Sequence, residues 1–194
     1  FNVANAALAV VALVQVGTDP EGAARGVAGC TGVPGRMERV SEGQDFLALV
    51  DYAHSPDSLQ RVLVTAHELA GAGRVSVVIG CGGDRDPYKR PVMGGIAARG
   101  ADLVVLTNDN PRSEDPLAIL AAMREGAELA GAAADVEVIP DRKAAIERAV
   151  AWAWPGDVVV VAGKGHEQGQ EIRGTVHPFD DRLVLRSAIA SALR

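Results

Sequence analysis

The chain has 194 residues, 48% of them apolar and 23% charged, which is enough for one well-cored domain plus a piece of a second and excludes disorder or low complexity. Lys and Arg number 19 against 25 Asp and Glu, so the net charge of −6 gives no general attraction to nucleic acid or anionic lipid, and any anionic ligand must be held by local basic groups. The longest apolar run, residues 6 to 14, is about half of what a membrane-spanning helix needs, and two cysteines, Cys30 and Cys81, make neither a disulfide framework nor a zinc site and read as free thiols of a reducing cytoplasm.

The chain opens at Phe1 with neither Met nor a basic leader, and reads as a segment of a longer protein. Residues 3 to 16 place Leu8, Val11, Ala12 and Gln15 on one stripe and end at Gly17, which predicts a buried helix. A second helix is expected from Asp19, its N-cap, through Pro20 at the first position to about Ala28. The stretch 29 to 35 (GCTGVPG) breaks all periodicity and marks a boundary.

Beyond it, strand-like runs at 46 to 52, 75 to 80, 102 to 108, 136 to 140 and 157 to 163 alternate with helical segments near 57 to 71, 90 to 99, 116 to 130, 141 to 153 and 181 to 193. The runs are continuous in Val, Leu and Ile, as strands covered on both faces require. The expected fold is α/β, a doubly wound and mainly parallel sheet, with ligands outside the carboxyl ends of its strands. Four of those ends carry Asp51 to Asp57 (DYAHSPD), Gly80 to Asp86 (GCGGDRD), Thr107 to Arg112 (TNDNPR) and Ala162 to Glu167 (AGKGHE). Taken singly, each has an ordinary explanation as caps, turns or solvated charges. Together they gather both charge signs, which suits a zwitterion such as an amino acid.

The GCGGDRD loop reads as a phosphate-binding turn, although no GxxxxGK[ST] pattern occurs anywhere. Trp152 and Trp154 are expected to pack against the sheet, Cys81 to be a small buried residue, and the charges of 123 to 128 and 142 to 148 to form a solvated helix face.

The segments FNVANAALA (1 to 9), GRMERV (35 to 40), DYAHSPDSL (51 to 59), GCGGDRDPYKRPVMG (80 to 94), TNDNPRSEDP (107 to 116) and AGKGHEQGQ (162 to 170) resemble the Mur ligases of peptidoglycan synthesis, in particular members that add the third amino acid. The resemblance covers essentially the whole chain. It implies residues 1–34 as the helical end of the central ATP-binding domain and 35–194 as the Rossmann-like Mur ligase C-terminal domain.

It also implies ATP-dependent amide formation in the cytoplasm. The carboxylate of a UDP-linked muramoyl dipeptide is phosphorylated, and the amine of diaminopimelate displaces the phosphate, with magnesium held mostly by residues upstream. By resemblance Asn2, Asn5, Arg36, Asp51 and His54 serve the nucleotide, Arg36 and Asp51 acting in catalysis. Arg85, Asp109, Asn110, Arg112, Gly163 and Glu167 line the diamino acid pocket, the Arg of DNPR going with diaminopimelate. Lys89, Arg90 and His166 follow the family pattern with loop-packing roles equally open, and for Lys164 the role of a surface charge alone is open as well. The implied partners are the small-molecule substrates and upstream domains, with no nucleic acid, membrane or metal site in this chain. A relative adding lysine or LL-diaminopimelate, or a ligand-binding module without chemistry, remain the alternatives.

Overall fold

A computed structural model describes residues 2–30 and 32–194 and divides into two compact units, Phe1–Val33 and Pro34–Arg194. The first holds α1 (Asn2–Gln15) and α2 (Pro20–Ala28), whose Asp19 N-cap accepts the Gly22 N–H at 2.8 Å with Pro20 in the first turn. The expectation of a buried α1 is not met: Leu8 is 67% and Val11 56% exposed. Apolar side chains lie all round α1, whereas α2 has nine residues of which only Ala23 is buried, too little surface to cover them.

The second unit is built on a six-stranded sheet. Its strands are β1 (Glu38–Val40), β2 (Leu47–Asp51), β3 (Val75–Ile79), β4 (Leu103–Leu106), β5 (Asp135–Val138) and β6 (Val158–Ala162), in the order β1-β2-β6-β3-β4-β5. All neighbours are parallel except β1, which runs antiparallel at the edge. Side-chain alternation explains the unbroken apolar runs. In β6, Val158, Val160 and Ala162 enter one core while Val159 and Val161 enter the other. The first core is covered by α3 (Pro56–Ala70), α4 (Lys89–Gly100) and α5 (Pro116–Leu129), the second by α6 (Arg142–Trp152) and α7 (Asp181–Ala192).

The order has one consequence for function. The chain leaves β2, β3 and β4 toward the first face, then returns through α6 to insert β6 between β2 and β3. The carboxyl end of β6 is therefore a topological switch point, where α/β sheets open a crevice. A two-stranded hairpin, β7 (Gly169–Ile172) and β8 (Thr175–Pro178), follows directly.

Two expectations fail at α6. Trp154 is 70% exposed, because the backbone turns extended at Ala153 (ψ 139°) and carries the ring off the helix face. Trp152 does pack against the second core, its ring 3.9 Å beneath the Arg74 guanidinium. Arg142, expected on a solvated face, is buried and paired with Asp181. Arg124 and Glu128 of α5 do form an exposed pair, at 2.7 Å.

Candidate active site

After β6 the backbone turns through Gly163 (φ 114°) and Gly165 (φ 55°), and the side chain between them points inward. Lys164, for which the sequence left the role of a surface charge open, has no exposed side-chain surface. Its Nζ donates to Asn110 Oδ1 and to Glu167 Oε2, both at 3.0 Å, and Asn110 Nδ2 donates to the same Glu167 oxygen at 2.9 Å. The loops after β4 and β6 are thereby closed into one triangle. Burial pushes the Glu167 carboxyl up, but the bonds from Asn110 and Lys164 outweigh it and hold the group below its ordinary range. Asp109 beside it is enclosed, and burial keeps its carboxyl raised although Arg142 and Lys164 oppose this. Gly163 is required here: a Cβ would lie 2.7 Å from Asp109 Oδ2.

Arg112 occupies the left-handed region (φ 52°), an uncommon state for a long side chain. The hairpin holds it there. Arg112 N–H donates to Glu171 O at 3.0 Å, Arg173 N–H donates to Arg112 O at 2.7 Å, and Glu171 N–H donates to Asn110 Oδ1 at 2.9 Å. Gln170 Nε2 donates to the Asp109 carbonyl at 2.9 Å. The guanidinium itself donates to Gly83 O at 2.7 Å and pairs with Glu171 at 3.2 Å, which leaves donors of its five for a ligand carboxylate.

Two glycines of GCGGDRD have a packing role that the sequence did not show. A Cβ on Gly83 would lie 2.0 Å from the Pro111 carbonyl oxygen and one on Gly82 would lie 2.9 Å from an Arg112 nitrogen, so they admit the DNPR loop. The Gly83 N–H is already bonded to Asn110 O at 2.8 Å and is not free for a phosphate.

A second cluster forms after β2. Asp51 is buried and accepts the Met37 N–H at 2.8 Å, fixing the segment that carries Arg36. Burial raises its carboxyl, against hydrogen bonds from Met37 and Ala53 and the Arg36 charge. Exposed Arg36 stands 4.8 Å over the Tyr52 ring, which also contacts the rings of His54 at 4.6 Å and His166 at 5.5 Å. Lys89 Nζ donates to the His54 carbonyl at 2.7 Å. The arrangement presents cations and flat rings at a solvent-facing edge, a surface suited to a nucleotide. Through the Gly163 N–H, which donates to Asp51 O at 3.0 Å, this cluster joins the one after β6.

A model of the family described as Mur ligase, glutamate ligase domain, matches residues 35–165. The chain belongs to the Mur ligase family. It is 59% identical over 191 residues to a Streptomyces coelicolor protein named UDP-N-acetylmuramoyl-L-alanyl-D-glutamate–2,6-diaminopimelate ligase, a match covering 97% of this chain and 38% of that one. A Corynebacterium glutamicum protein of the same name is 53% identical over 197 residues, covering 100% of this chain and 38% of its own length. A solved structure described by that ligase name superposes with a TM-score of 0.76 at 43% identity, over 100% of this chain and 39% of the other. Escherichia coli FolC in complex with ADP superposes at 0.63 with 25% identity, over 82% and 36%. The chain thus spans about 38% of the length of the curated relatives it matches.

Within this Mur ligase chain the sequence-derived residues are unevenly gathered. Asp109, Asn110, Arg112, Gly163 and Glu167 come together, as do Arg36, Asp51 and His54. Arg85 stands exposed at the rim and donates to the Asp84 carbonyl at 3.0 Å. Asn5 is exposed on α1 of the first unit, and the side chain of Asn2 lies outside the described residues. Arg90 is buried against Glu114 at 2.8 Å and takes the loop-packing role. Cys81 is buried beside Met93 Sδ at 3.6 Å, as the sequence led one to expect, and burial pushes its thiol up to about 12, which disfavours the thiolate.

Sequence reasoning missed the inward Lys164, the Arg142–Asp181 pair and the hairpin residues Gln170 and Glu171. Only a strand pairing or a burial value identifies them, and neither is a local signal. Among the described residues no three His, Cys, Asp or Glu side chains gather as a metal group, and no helix is long and apolar enough to cross a membrane.

Proposed function

We propose that this chain is the C-terminal part of an ATP-dependent ligase that adds meso-diaminopimelate to UDP-N-acetylmuramoyl-L-alanyl-D-glutamate in peptidoglycan synthesis. Residues 1–34 would end the central ATP-binding domain, and residues 35–194 would present the diamino acid. The observation that carries this reading is the pairing, at the switch point, of an acidic and amide cluster with a guanidinium: Asp109, Asn110 and Glu167 on one side, Arg112 on the other. That distribution complements an ammonium at one end of a ligand and a carboxylate at the other. The identity to relatives named for the same reaction agrees with it.

In this reading Asp109, Asn110, Gly163 and Glu167 hold the amino acid group, Arg112 holds the distal carboxylate, and Arg85 supplies charge at the rim. Arg36 and His54 face the nucleotide, and Asp51 fixes Arg36 through Met37. Asn2 and Asn5 belong to the nucleotide side of the same scheme. ATP supplies the phosphoryl group that turns the dipeptide carboxylate into an acyl phosphate. The incoming amine forms the amide bond as phosphate departs and the amine gives up a proton. This chain's residues contribute placement, which alone is worth several kcal/mol when two reactants are aligned. Magnesium would offset phosphate charge, and the family resemblance assigns its ligands mostly to residues upstream of this chain. The cytoplasm, where ATP and nucleotide-linked precursors are available, is the corresponding compartment.

The test is product analysis with the full-length protein, the muramoyl dipeptide nucleotide, ATP and either meso-diaminopimelate or L-lysine. The expected products are the diaminopimelate-extended nucleotide with ADP and phosphate in equal amounts. AMP with pyrophosphate, or equal use of lysine, would contradict the reading.

A further inference from the structure

Arg142 lies in the first turn of α6, outside every segment that carries the family resemblance. Its side chain and that of Asp181, the first residue of α7, are both 0% exposed. Nε and Nη2 donate to the two oxygens of Asp181, each at 2.8 Å. Nη2 also donates to the Ala162 carbonyl at 2.9 Å and Nη1 to the Asn108 carbonyl at 3.4 Å. One guanidinium therefore reaches two helices, the end of β6 and the loop after β4.

Helix packing alone does not account for this pair. A buried ion pair is a weak device for stability, since apolar residues of similar volume usually do as well or better. Its effect is better sought in what it holds. Ala162 and Asn108 are the residues just before Gly163 and Asp109, and those two meet so closely that a Cβ on Gly163 would touch the Asp109 carboxylate. The planar fork of Arg fixes both carbonyls at once, which a single lysine ammonium on a flexible stem does not.

We propose that Arg142 and Asp181 are positioning residues for the diamino acid: Arg142 holds the carbonyls of Asn108 and Ala162 so that Asp109, Asn110 and Gly163 converge on the ligand, and Asp181 holds Arg142. The inference deepens the functional reading above and rests on it. It also predicts a pH signature. The charged groups facing Asp109 are Arg142 from α6, Asp181 from α7, and Lys164 and Glu167 from the loop after β6, with the Cys81 thiol nearby in the loop after β3. Burial raises the Asp109 carboxyl, Arg142 is the strongest charge opposing that, and Asp181 is the weakest reinforcing it. Removing the pair together raises Asp109 further.

The experiment uses the full-length ligase with Arg142→Met and Asp181→Leu combined, so that no charge is left buried alone. The expected result is an unfolding midpoint close to wild type and a diaminopimelate KM raised at least tenfold. The ATP KM should stay within twofold, and the acidic limb of kcat/KM for diaminopimelate should move to higher pH. A diaminopimelate KM within twofold of wild type overturns the proposal, as does an equal rise for ATP and diaminopimelate. Should the double variant not fold, Arg142→Lys with Asp181 in place gives the answer: a severalfold rise in the diaminopimelate KM with the acidic limb unmoved supports positioning, and an unchanged KM overturns it. Asn110→Ala separates the two layers. If it raises the diaminopimelate KM while the double variant does not, only the positioning claim fails. If Asn110→Ala itself leaves that KM unchanged, the functional reading fails and the positioning claim falls with it.

Discussion

The most informative single residue is Lys164, a cation enclosed between Asn110 and Glu167 with no exposed surface of its own. Replacing it by Met leaves an Asn110 oxygen and a Glu167 oxygen each one donor short, at roughly 2 kcal/mol for the two acceptors together. Urea unfolding at neutral pH should show that loss. The sign with pH follows from Glu167, which is held below its ordinary range. A depressed carboxyl contributes stability that is present above its unfolded pKa and lost as pH falls through its folded pKa. Without Lys164 the depression shrinks, so the gap between Lys164→Met and wild type should be widest at neutral pH and close under acid conditions. A gap independent of pH would show that the ammonium acts through packing alone.

Residues on the nucleotide side should behave differently. Arg36→Ala and Asp51→Ala are expected to lower kcat by an order of magnitude or more while the diaminopimelate KM changes little, because groups that align phosphates act mainly in the transition state. Steady-state kinetics of the full-length protein decide this, and a selective rise in the diaminopimelate KM would contradict it.

At the scale of elements, the β7–β8 hairpin connects sequence to site in a way the local pattern concealed. Its turn residues, Arg173 (φ 49°) and Gly174 (φ 75°), are both left-handed, the geometry a two-residue hairpin prefers, yet Arg-Gly is not the Asn-Gly signal that marks such turns. Strands of four residues in which β8 is wholly exposed carry no apolar alternation either. The buried parallel strands were legible because both cores need continuous apolar side chains, and the cap of α2 was legible from Asp19 followed by Pro20. Edge strand β1 and the hairpin were not, since they depend on partners distant in sequence.

The hairpin gives its own prediction. Arg173→Asn should stabilise the fold by roughly 0.5 to 1 kcal/mol, because Asn tolerates the left-handed region better than a long side chain. Gly174→Val should destabilise it and raise the diaminopimelate KM, since β7 anchors Arg112 and Asn110 through Glu171. Thermal melts and KM values check both, and a Gly174→Val protein with wild-type KM would separate the hairpin from ligand binding.

For the molecule as a whole, the sheet order explains why a chain of net charge −6 holds a cluster with three buried or half-buried cations, Lys164, Arg142 and Arg112. The insertion of β6 between β2 and β3 brings loops from four strand ends to one crevice, and each cation meets a carboxylate there: Glu167, Asp181 and Glu171. The motifs in the sequence placed most of the residues of this crevice on those ends. They did not disclose which charges turn inward, because Lys and Arg look alike in sequence whether solvated or enclosed, and Arg142 sits in an ordinary helical pattern.

The central claim is that this crevice reads the distal carboxylate of diaminopimelate through Arg112, and kcat/KM for meso-diaminopimelate and L-lysine in wild type, Arg112→Lys and Arg112→Ala tests it most directly. Truncating one partner of a hydrogen-bonded charge pair costs roughly 2 to 4 kcal/mol, or about 30- to 1000-fold. The account predicts that loss for diaminopimelate in both variants, with lysine use unchanged or improved and Arg112→Lys retaining the charge without the bidentate fork. If Arg112→Ala weakens diaminopimelate and lysine equally, Arg112 serves the shared amino acid end or the loop, and the account of specificity is wrong.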